Sequence, residues 1–407
     1  MSPLRQRLHA SVGGLPGVFW TLWWGLLVNR LATFVVAFLA TYLVRERGFS
    51  PAEAGRIAAL FGIGQALAGP VGGALADRVG RRPTMMGGLL LAAAATGALP
   101  FATAPALLAL LSFLCGLLGA LVQPAMSASV ADVVPSPERA RAFGLIYWAV
   151  NIGLTAGLLL AAALAERSFT ALFLIDAGTS LAFALIVWAR VPETRPRELA
   201  PEPVLRGFGR VLSDRTFMPF LVLQLLALMV FVQWQLGLPL DMTAHGFGPS
   251  AYALLMALNC AGVVLLQPLL GPVLAGRDPA RLLAAQAALI GLGFGVNALG
   301  GSLWVYAVGT ALWTVGEVVG FPTASALAAE LAPAELRGRY QGTYGMAWGL
   351  ALTLGPLAGG ELYGRGGGRL LWLACLALAL LVSAGHLLAG AARRARRPGG
   401  AGEAFGG

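Results

Sequence analysis

The chain has 407 residues, of which 58% are hydrophobic and 11% are charged, and its mean hydropathy is +0.77. A soluble globular protein is about half apolar and about a quarter charged, so this composition excludes a water-soluble protein and requires lipid as the solvent. The net charge of +10 comes from arginines that lie in short runs between hydrophobic segments. That arrangement is typical of membrane loops and argues against a nucleic-acid partner.

Twelve apolar runs follow one another along the chain, and a helix needs roughly 20 such residues to cross a bilayer. The first run follows Arg5 and Arg7, as in a signal peptide, but it is too long to be a cleaved segment. We therefore predict an all-α membrane protein with twelve transmembrane helices. The predicted spans cover approximately residues 18–44, 54–76, 83–101, 105–131, 141–165, 168–190, 216–240, 250–275, 282–300, 303–329, 341–363 and 370–391.

The distribution of the arginines predicts how the chain lies in the membrane. Twelve spans place both termini on the same side. If that side is the cytoplasm, the inward loops hold 21 arginines and the outward loops hold 6, while Arg30 lies inside the first span. By the positive-inside rule, both termini are predicted to be cytoplasmic. We expect a multi-pass protein of the bacterial inner membrane.

A long polar connection divides the spans into six and six. Residues 191–215 combine prolines with arginine and glutamate, a composition that predicts a solvated cytoplasmic linker. It separates an N-terminal six-helix bundle at residues 1–190 from a C-terminal bundle at residues 216–392. A cytoplasmic tail at residues 393–407 follows.

The two halves also show an internal repeat. Eight residues of the first half recur in the second half at an offset of 198, which chance matching does not explain. The pairs are Pro70 and Pro268, Gly73 and Gly271, Pro124 and Pro322, Asp132 and Glu330, Pro135 and Pro333, Arg139 and Arg337, Arg141 and Arg339, and Gly144 and Gly342. Duplicated six-helix bundles of this kind bind solutes near the midplane between the halves, and alternating access is a rocking of one half against the other.

A charged motif stands between the second and third predicted spans, in the order G-x-x-x-D-R-x-G-R-R. Its residues are Gly73, Asp77, Arg78, Gly80, Arg81 and Arg82. The motif resembles the signature loop of the major facilitator superfamily, and together with the span count, the duplication and the central loop the resemblance covers essentially the whole chain. It implies two pseudo-symmetric six-helix bundles.

The resemblance also implies a gating role for this motif. Asp77 is expected to dock against a helix N-terminus in the opposite half and to help close the cytoplasmic side. An anion at a helix N-terminus contributes about 0.3–1 kcal/mol when exposed and up to about 2 kcal/mol when partly buried. The alternative is that the arginines only set the topology. Ala275 stands at the repeat position of Asp77, so we expect an asymmetric latch.

Three charged residues lie well inside predicted spans and away from their ends, where charge is costly and therefore indicates function. Of Arg30, Asp176 and Glu317, the glutamate is the leading candidate for binding a lipophilic cation or a proton. Trp313 and Phe321 lie four residues to either side of it and share its helical face. The alternative is a structural carboxylate bonded to a neighbouring helix.

Arg30 follows Asn29 in the first span and has two possible roles. It could form an ion pair with Glu317 or Asp176, or it could bind an anionic group of a solute. For Asp176, a structural or pairing role is favoured.

Three segments resemble multidrug exporters of the LmrP type in the drug:proton antiporter branch of the family. They are residues 147–151, 232–239 and 313–322. The resemblance implies that Glu317 contributes to binding cationic drugs. The remaining polar and aromatic candidates for the substrate cavity could equally be packing residues. They are Gln123, Tyr147, Asn151, Gln233, Trp234, Gln235, Asn259, Tyr344 and Trp348.

The chain also departs from that group at several positions. Ile146 and Gln235 stand where those exporters carry carboxylates, and Ser112 stands where the drug–proton group frequently has an arginine. The glycine–proline motif of the fifth span retains Gly153 and Gly157 but lacks the proline. Proton coupling and substrate range are therefore the points on which this chain could differ.

The leading hypothesis is a proton-coupled exporter of hydrophobic or cationic small molecules that acts as a monomer in the lipid bilayer. The first alternative is the same fold carrying a specific metabolite, such as a sugar, an amino acid or an organic acid. An enzyme is not expected, because the sequence contains neither H-E-x-x-H nor G-x-S-x-G. A channel is disfavoured by the duplication with a gating loop. No cofactor and no metal site are expected.

Overall fold

A computed structural model describes residues 13–32, 39, 42–165, 168–196 and 203–390. Three features named from the sequence lie outside this part of the chain. They are the arginines before the first span (Arg5 and Arg7), most of the second half of that span, and the tail. Within it, nine helices are long and apolar enough to cross a membrane. The predicted all-α membrane architecture is confirmed.

Six helices of the N-terminal half lie entirely within the residues that the structure describes. They are α1 (Gly17–Leu31), α2 (Pro51–Arg78), α3 (Arg81–Ala98), α4 (Pro105–Val133), α5 (Arg139–Ala165) and α6 (Phe169–Arg190). The start of α2 is set by its sequence, because the Ser50 hydroxyl accepts a bond from the Glu53 amide at 3.3 Å and the Glu53 carboxylate accepts one from the Ser50 amide at 3.0 Å. This capping box satisfies two amides that the first turn leaves unpaired.

The remaining helices begin inside the predicted linker. They are α7 (Val204–Leu212), α8 (Phe217–Phe231), α9 (Gly237–Ala244), α10 (Pro249–Leu274), α11 (Pro279–Val296), α12 (Leu303–Leu331) and α13 (Arg337–Leu388). The short helix α7 was not expected in a solvated linker; its Val211 is fully buried whereas Leu205 is 88% exposed. Two predicted spans share α13, and they meet where Gly366 and Gly367 leave the helical conformation.

The seventh predicted span, residues 216–240, is not continuous. It is divided into α8, a 3₁₀ turn at Val232–Trp234, and α9. Pro239 explains the break, since it has no amide hydrogen to donate to the carbonyl of residue 235 and its ring crowds that carbonyl. The C-terminal part of this span is therefore a separate short helix with its own contacts.

The helix bounds repeat at the offset of 198. Adding 198 to the bounds of α3 gives those of α11, and adding it to the bounds of α4 gives those of α12. The same shift carries the start of α5 onto the start of α13, and the 3₁₀ turn Ser136–Glu138 onto Ala334–Leu336. The two halves are thus copies in structure as well as in sequence, which confirms the predicted pseudo-symmetry.

The halves meet through several helix pairings. Helix α13 packs against α2 and α4, and α5 packs against α10 and α12. Many large apolar side chains remain exposed, among them Leu357 at 67% and Leu381 at 70%, as expected for helices that face lipid. Residues that face the opposite half are therefore the ones that can form a site.

Candidate functional site

Glu317 lies on α12 at the junction of the two halves, and it is 2% exposed. Its Oε1 accepts a hydrogen bond from the Tyr147 hydroxyl of α5, in the N-terminal half. Its Oε2 accepts one from Nδ2 of Asn259 on α10, at 2.7 Å. The carboxylate is therefore held from both sides of the interface, and Tyr147 makes the link between the halves.

The position of Asn259 is in turn supported by α12. Its Nδ2 also lies 2.9 Å from Oγ1 of Thr314, and that hydroxyl donates to the Thr310 carbonyl at 2.7 Å. Thr314 was not among the sequence candidates, although its place three residues before Glu317 put it on the same helical face. The amide and hydroxyl together orient the acid.

A cluster of aromatic rings adjoins the acid, which it contacts through Tyr147. The Phe321 ring centroid lies 5.8 Å from that of Tyr147, 4.9 Å from that of Trp348 and 4.8 Å from that of Phe231. Trp313 packs behind Phe231 at 5.7 Å. The structure thus brings the predicted residues Trp313, Phe321, Tyr147 and Trp348 together beside Glu317. Phe231 was missed, because it lies in the uniformly apolar helix α8 and carries no distinguishing signal.

The other polar candidates occupy different places. Nδ2 of Asn151 donates to the Tyr147 carbonyl within its own helix at 3.0 Å. Nε2 of Gln233 donates to the Gly355 carbonyl of α13 at 2.7 Å, which ties the 3₁₀ turn of the seventh span to α13. The Trp234 carbonyl accepts a bond from Tyr252, and Gln235 is exposed.

The first-span candidates face α5 and α6. Nδ2 of Asn29 donates to the Ser180 hydroxyl at 3.0 Å. Arg30 packs so closely on Gly153 that a Cβ there would lie 2.4 Å from the arginine Cβ. Its charge interacts with Asp176, as one of the two pairings considered from the sequence. Nε of Arg30 is buried and has no hydrogen-bond partner among the described residues.

At one end of the interface, Asp77 joins α2 to α13. The side chain is buried, and its Oδ1 and Oδ2 accept bonds from the amides of Gly338 and Arg339 at 2.8 and 2.9 Å. These amides belong to the first turn of α13, whose N-terminus carries partial positive charge. We call this contact the latch.

Glycines allow the two helices to touch at the latch. A Cβ on Gly73 would lie 2.3 Å from the Gly338 carbonyl oxygen, and one on Gly342 would lie 2.1 Å from the Gly69 carbonyl oxygen. Both helices therefore present glycines at a spacing of four, the arrangement that permits close approach in membranes. Only Gly73 was assigned to the site from the sequence.

Arg81 completes the latch, and it is fully buried. Its Nη1 lies 3.5 Å from Oδ1 of Asp77, its Nε lies 3.2 Å from Oδ2 of Asp132, and its Nη2 donates to the Ala334 carbonyl of the other half at 3.2 Å. Asp132 also pairs with Arg337 across the interface. The repeat had marked Asp132 and Arg337, but their contact with the motif was not foreseen.

The rest of the motif holds the loop. Gly80 has φ +122°, which favours glycine. The Glu193 carboxylate accepts bonds from the amides of Arg81 and Arg82 at 2.9 and 3.1 Å, at the start of α3. Arg78 is exposed, and its carbonyl accepts a bond from the Arg195 guanidinium.

The chain is similar in sequence to known membrane transporters. The sequence model described as the Major Facilitator Superfamily matches residues 22–284 and 236–405. An uncharacterized MFS-type transporter, YhjO of Bacillus subtilis, is 30% identical over 321 residues, or 76% of this chain and 77% of that protein. The multidrug resistance protein MdtH of Cronobacter sakazakii is 32% identical over 313 residues, or 73% of this chain and 74% of that protein.

Two solved structures share the fold. The human organic anion transporter MFSD10 aligns with a TM-score of 0.76 at 19% identity, over 91% of this chain and 98% of its own. The proton:xylose symporter XylE aligns with a TM-score of 0.67 at 15% identity, over 93% of this chain and 95% of its own. The chain therefore belongs to the major facilitator superfamily, as a multi-pass membrane transporter and not an enzyme.

Proposed function

We propose that this transporter exports hydrophobic or cationic small molecules across the bacterial inner membrane in exchange for protons. The observation that carries the proposal is the buried Glu317 carboxylate, held by Tyr147 and Asn259 and adjoined by a cluster of aromatic rings. Aromatic faces attract cations, and a carboxylate inside a membrane protein binds either a cation or a proton. The similarity to the multidrug resistance protein MdtH also supports the proposal of drug export.

Exchange follows from the fact that a proton and a cationic substrate need the same carboxylate. When Glu317 takes up a proton, it loses its charge and its attraction for the cation. The neutral carboxyl is also a weaker acceptor for the Tyr147 hydroxyl, so the link between the halves weakens as the substrate leaves. Protonation thus favours release and prepares the rearrangement of the halves.

The latch supplies the gate in this proposal. With both termini in the cytoplasm, Asp77 lies at the inner face, and its bonds to α13 keep that face closed. Opening toward the cytoplasm requires these bonds to break. The substrate path lies between the halves of one chain, so a monomer is sufficient for the cycle.

The test is transport of a lipophilic cationic dye in proteoliposomes under an imposed pH gradient. We expect wild-type protein to move the dye and Glu317→Gln to abolish the movement. Glu361→Gln is the matched control, because Glu361 is an exposed acid paired with Arg365 and its loss leaves the interface intact. Dye transport by Glu317→Gln at the wild-type rate would refute the role of the carboxylate.

A second candidate function is transport of one polar metabolite with an anionic group. The buried Nε of Arg30 favours it, because this atom has no hydrogen-bond partner in the described part of the chain and such a donor can bind a carboxylate of a solute. This reading predicts saturable uptake or release of a single solute, loss of that transport in Arg30→Gln, and indifference to cationic dyes.

A further inference from the structure

A further buried carboxylate lies on α9, at the end of the C-terminal half opposite the latch. The sequence had placed Asp241 just outside the seventh span, but its side chain is 3% exposed. Its Oδ2 accepts hydrogen bonds from the Tyr306 hydroxyl of α12 and from Nε1 of Trp372 in α13, both at 2.8 Å. Asp241 thus joins three helices through one oxygen atom.

A histidine connects this acid to the surface. His245 lies four residues further on, directly after the end of α9, and its side chain is 38% exposed. Its Nδ1 lies 3.6 Å from Oδ1 of Asp241 and 3.1 Å from the Tyr306 hydroxyl, and it is also 2.9 Å from the Asp241 carbonyl. A continuous path of polar atoms therefore runs from the exposed imidazole through the Tyr306 hydroxyl to the buried carboxylate.

The surroundings of this path are tightly packed. A Cβ on Gly368 of α13 would lie 1.8 Å from Oδ1 of Asp241, so a glycine is needed opposite the acid. Tyr363 of α13 also faces Asp241, and its hydroxyl donates to the Leu240 carbonyl at 3.4 Å. In the described part of the chain, the titratable groups that interact with Asp241 are therefore His245, Tyr306 and Tyr363.

We propose that Asp241 is a second proton-binding site, separate from Glu317, which is loaded through His245 and Tyr306. The imidazolium Nδ1–H gives its proton to the Tyr306 oxygen as the Tyr306 O–H proton passes to Oδ2 of Asp241. One proton moves in total, which leaves the histidine neutral, the tyrosine unchanged and the carboxyl protonated. No other reactant is required.

Protonation at this site has a structural consequence. A carboxylate is a stronger hydrogen-bond acceptor than a neutral carboxyl group. When Asp241 is neutralised, its bonds to Tyr306 and Trp372 weaken, and the attachment of α9 to α12 and α13 weakens with them. Because α9 is separated from α8 by the break before Gly237, this short helix can move without moving the rest of the span.

The experiment is infrared difference spectroscopy of the full-length purified protein after a rapid drop in pH. We expect wild-type protein to show a protonated-carboxyl band that is absent in Asp241→Asn and retained in Thr243→Val. The control changes an exposed residue of the same helix that carries no titratable group. A band that persists unchanged in Asp241→Asn would overturn the proposal.

The rate at which the band rises tests the path. We expect His245→Gln and Tyr306→Phe to slow it several-fold relative to wild type and Thr243→Val, and equal rates in all four proteins would overturn the relay. These two variants also decide the matter if Asp241→Asn does not fold. Glu317→Gln is expected to keep the Asp241 band while it loses dye transport, so failure of the exporter hypothesis and failure of this proposal give different results.

Discussion

Replacing Asp77 with asparagine should open the latch. The carboxylate accepts two amide bonds from the first turn of α13, one on each oxygen. Asparagine carries no charge and replaces one of these oxygens with an NH2 group, which donates and cannot accept the second bond. A hydrogen bond to a charged group contributes about 1.5–3 kcal/mol, and a buried anion at a helix N-terminus up to about 2 kcal/mol. The substitution should therefore destabilise the latched state by about 2–4 kcal/mol, or about 30- to 1,000-fold in the equilibrium between closed and open forms.

The assay is a distance measurement by electron paramagnetic resonance. Spin labels on Val79 and Arg277 report the separation of the halves at the latch end, since both positions are exposed and belong to different halves. The native cysteines would first be replaced; they are Cys115, Cys260 and Cys375. In Asp77→Asn, we expect a longer distance to become the major population.

The matched control for this measurement is Glu138→Gln. Glu138 lies at the same end of the molecule, but its ion pair with Arg141 stays within one half. We expect this variant to retain the wild-type distance distribution. If Asp77→Asn also retained it, the bonds from Asp77 to α13 could not be what holds the halves together.

Three further predictions follow from described contacts. Gly73→Ala should shift the same labels to longer distances because its Cβ would lie 2.3 Å from a carbonyl oxygen of α13, whereas Gly271→Ala, at the repeat position in open space, should not. Tyr147→Phe should lower gradient-driven dye transport without abolishing it, since Glu317 loses its bond to the N-terminal half but keeps its carboxylate; an unchanged rate would contradict this. Ser50→Ala should lower the free energy of unfolding by about 1 kcal/mol through loss of the cap of α2, with dye transport unaffected.

The number and order of the helices could be predicted because the same residues recur in both halves of the sequence at one offset. Proline, glycine and arginine recur at one offset, and these residues start helices, end them or orient them in the membrane, so equal spacing implies equal helix bounds. Glu317 could be found because a carboxylate surrounded by apolar residues is costly and stands out in the sequence. Asp77 could be found because it belongs to a motif of fixed spacing with Gly73 and three arginines.

The partners of these acids could not be predicted in the same way. The amides that donate to Asp77 are set by how helices from different halves pack. The same packing brings the Asn259 and Tyr147 side chains within hydrogen-bond distance of Glu317. Asp241 was missed because its predicted span ended one residue earlier, which made a buried acid look like a loop residue. The break that created α9 was signalled only by Pro239, and a proline alone does not show which contacts the following helix makes.

The glycine contact between α2 and α13 also determines how readily the molecule changes shape. Glycines bury little apolar surface and present no side chains that interlock. The two helix backbones therefore contact each other without steric obstacles to a rotation of one half relative to the other. The free energy of the closed form then resides in a few polar bonds rather than in an extensive packed core. In the proposed exchange mechanism, the binding of a proton or a substrate then needs to supply only a modest free energy to reverse the balance between the closed and open forms.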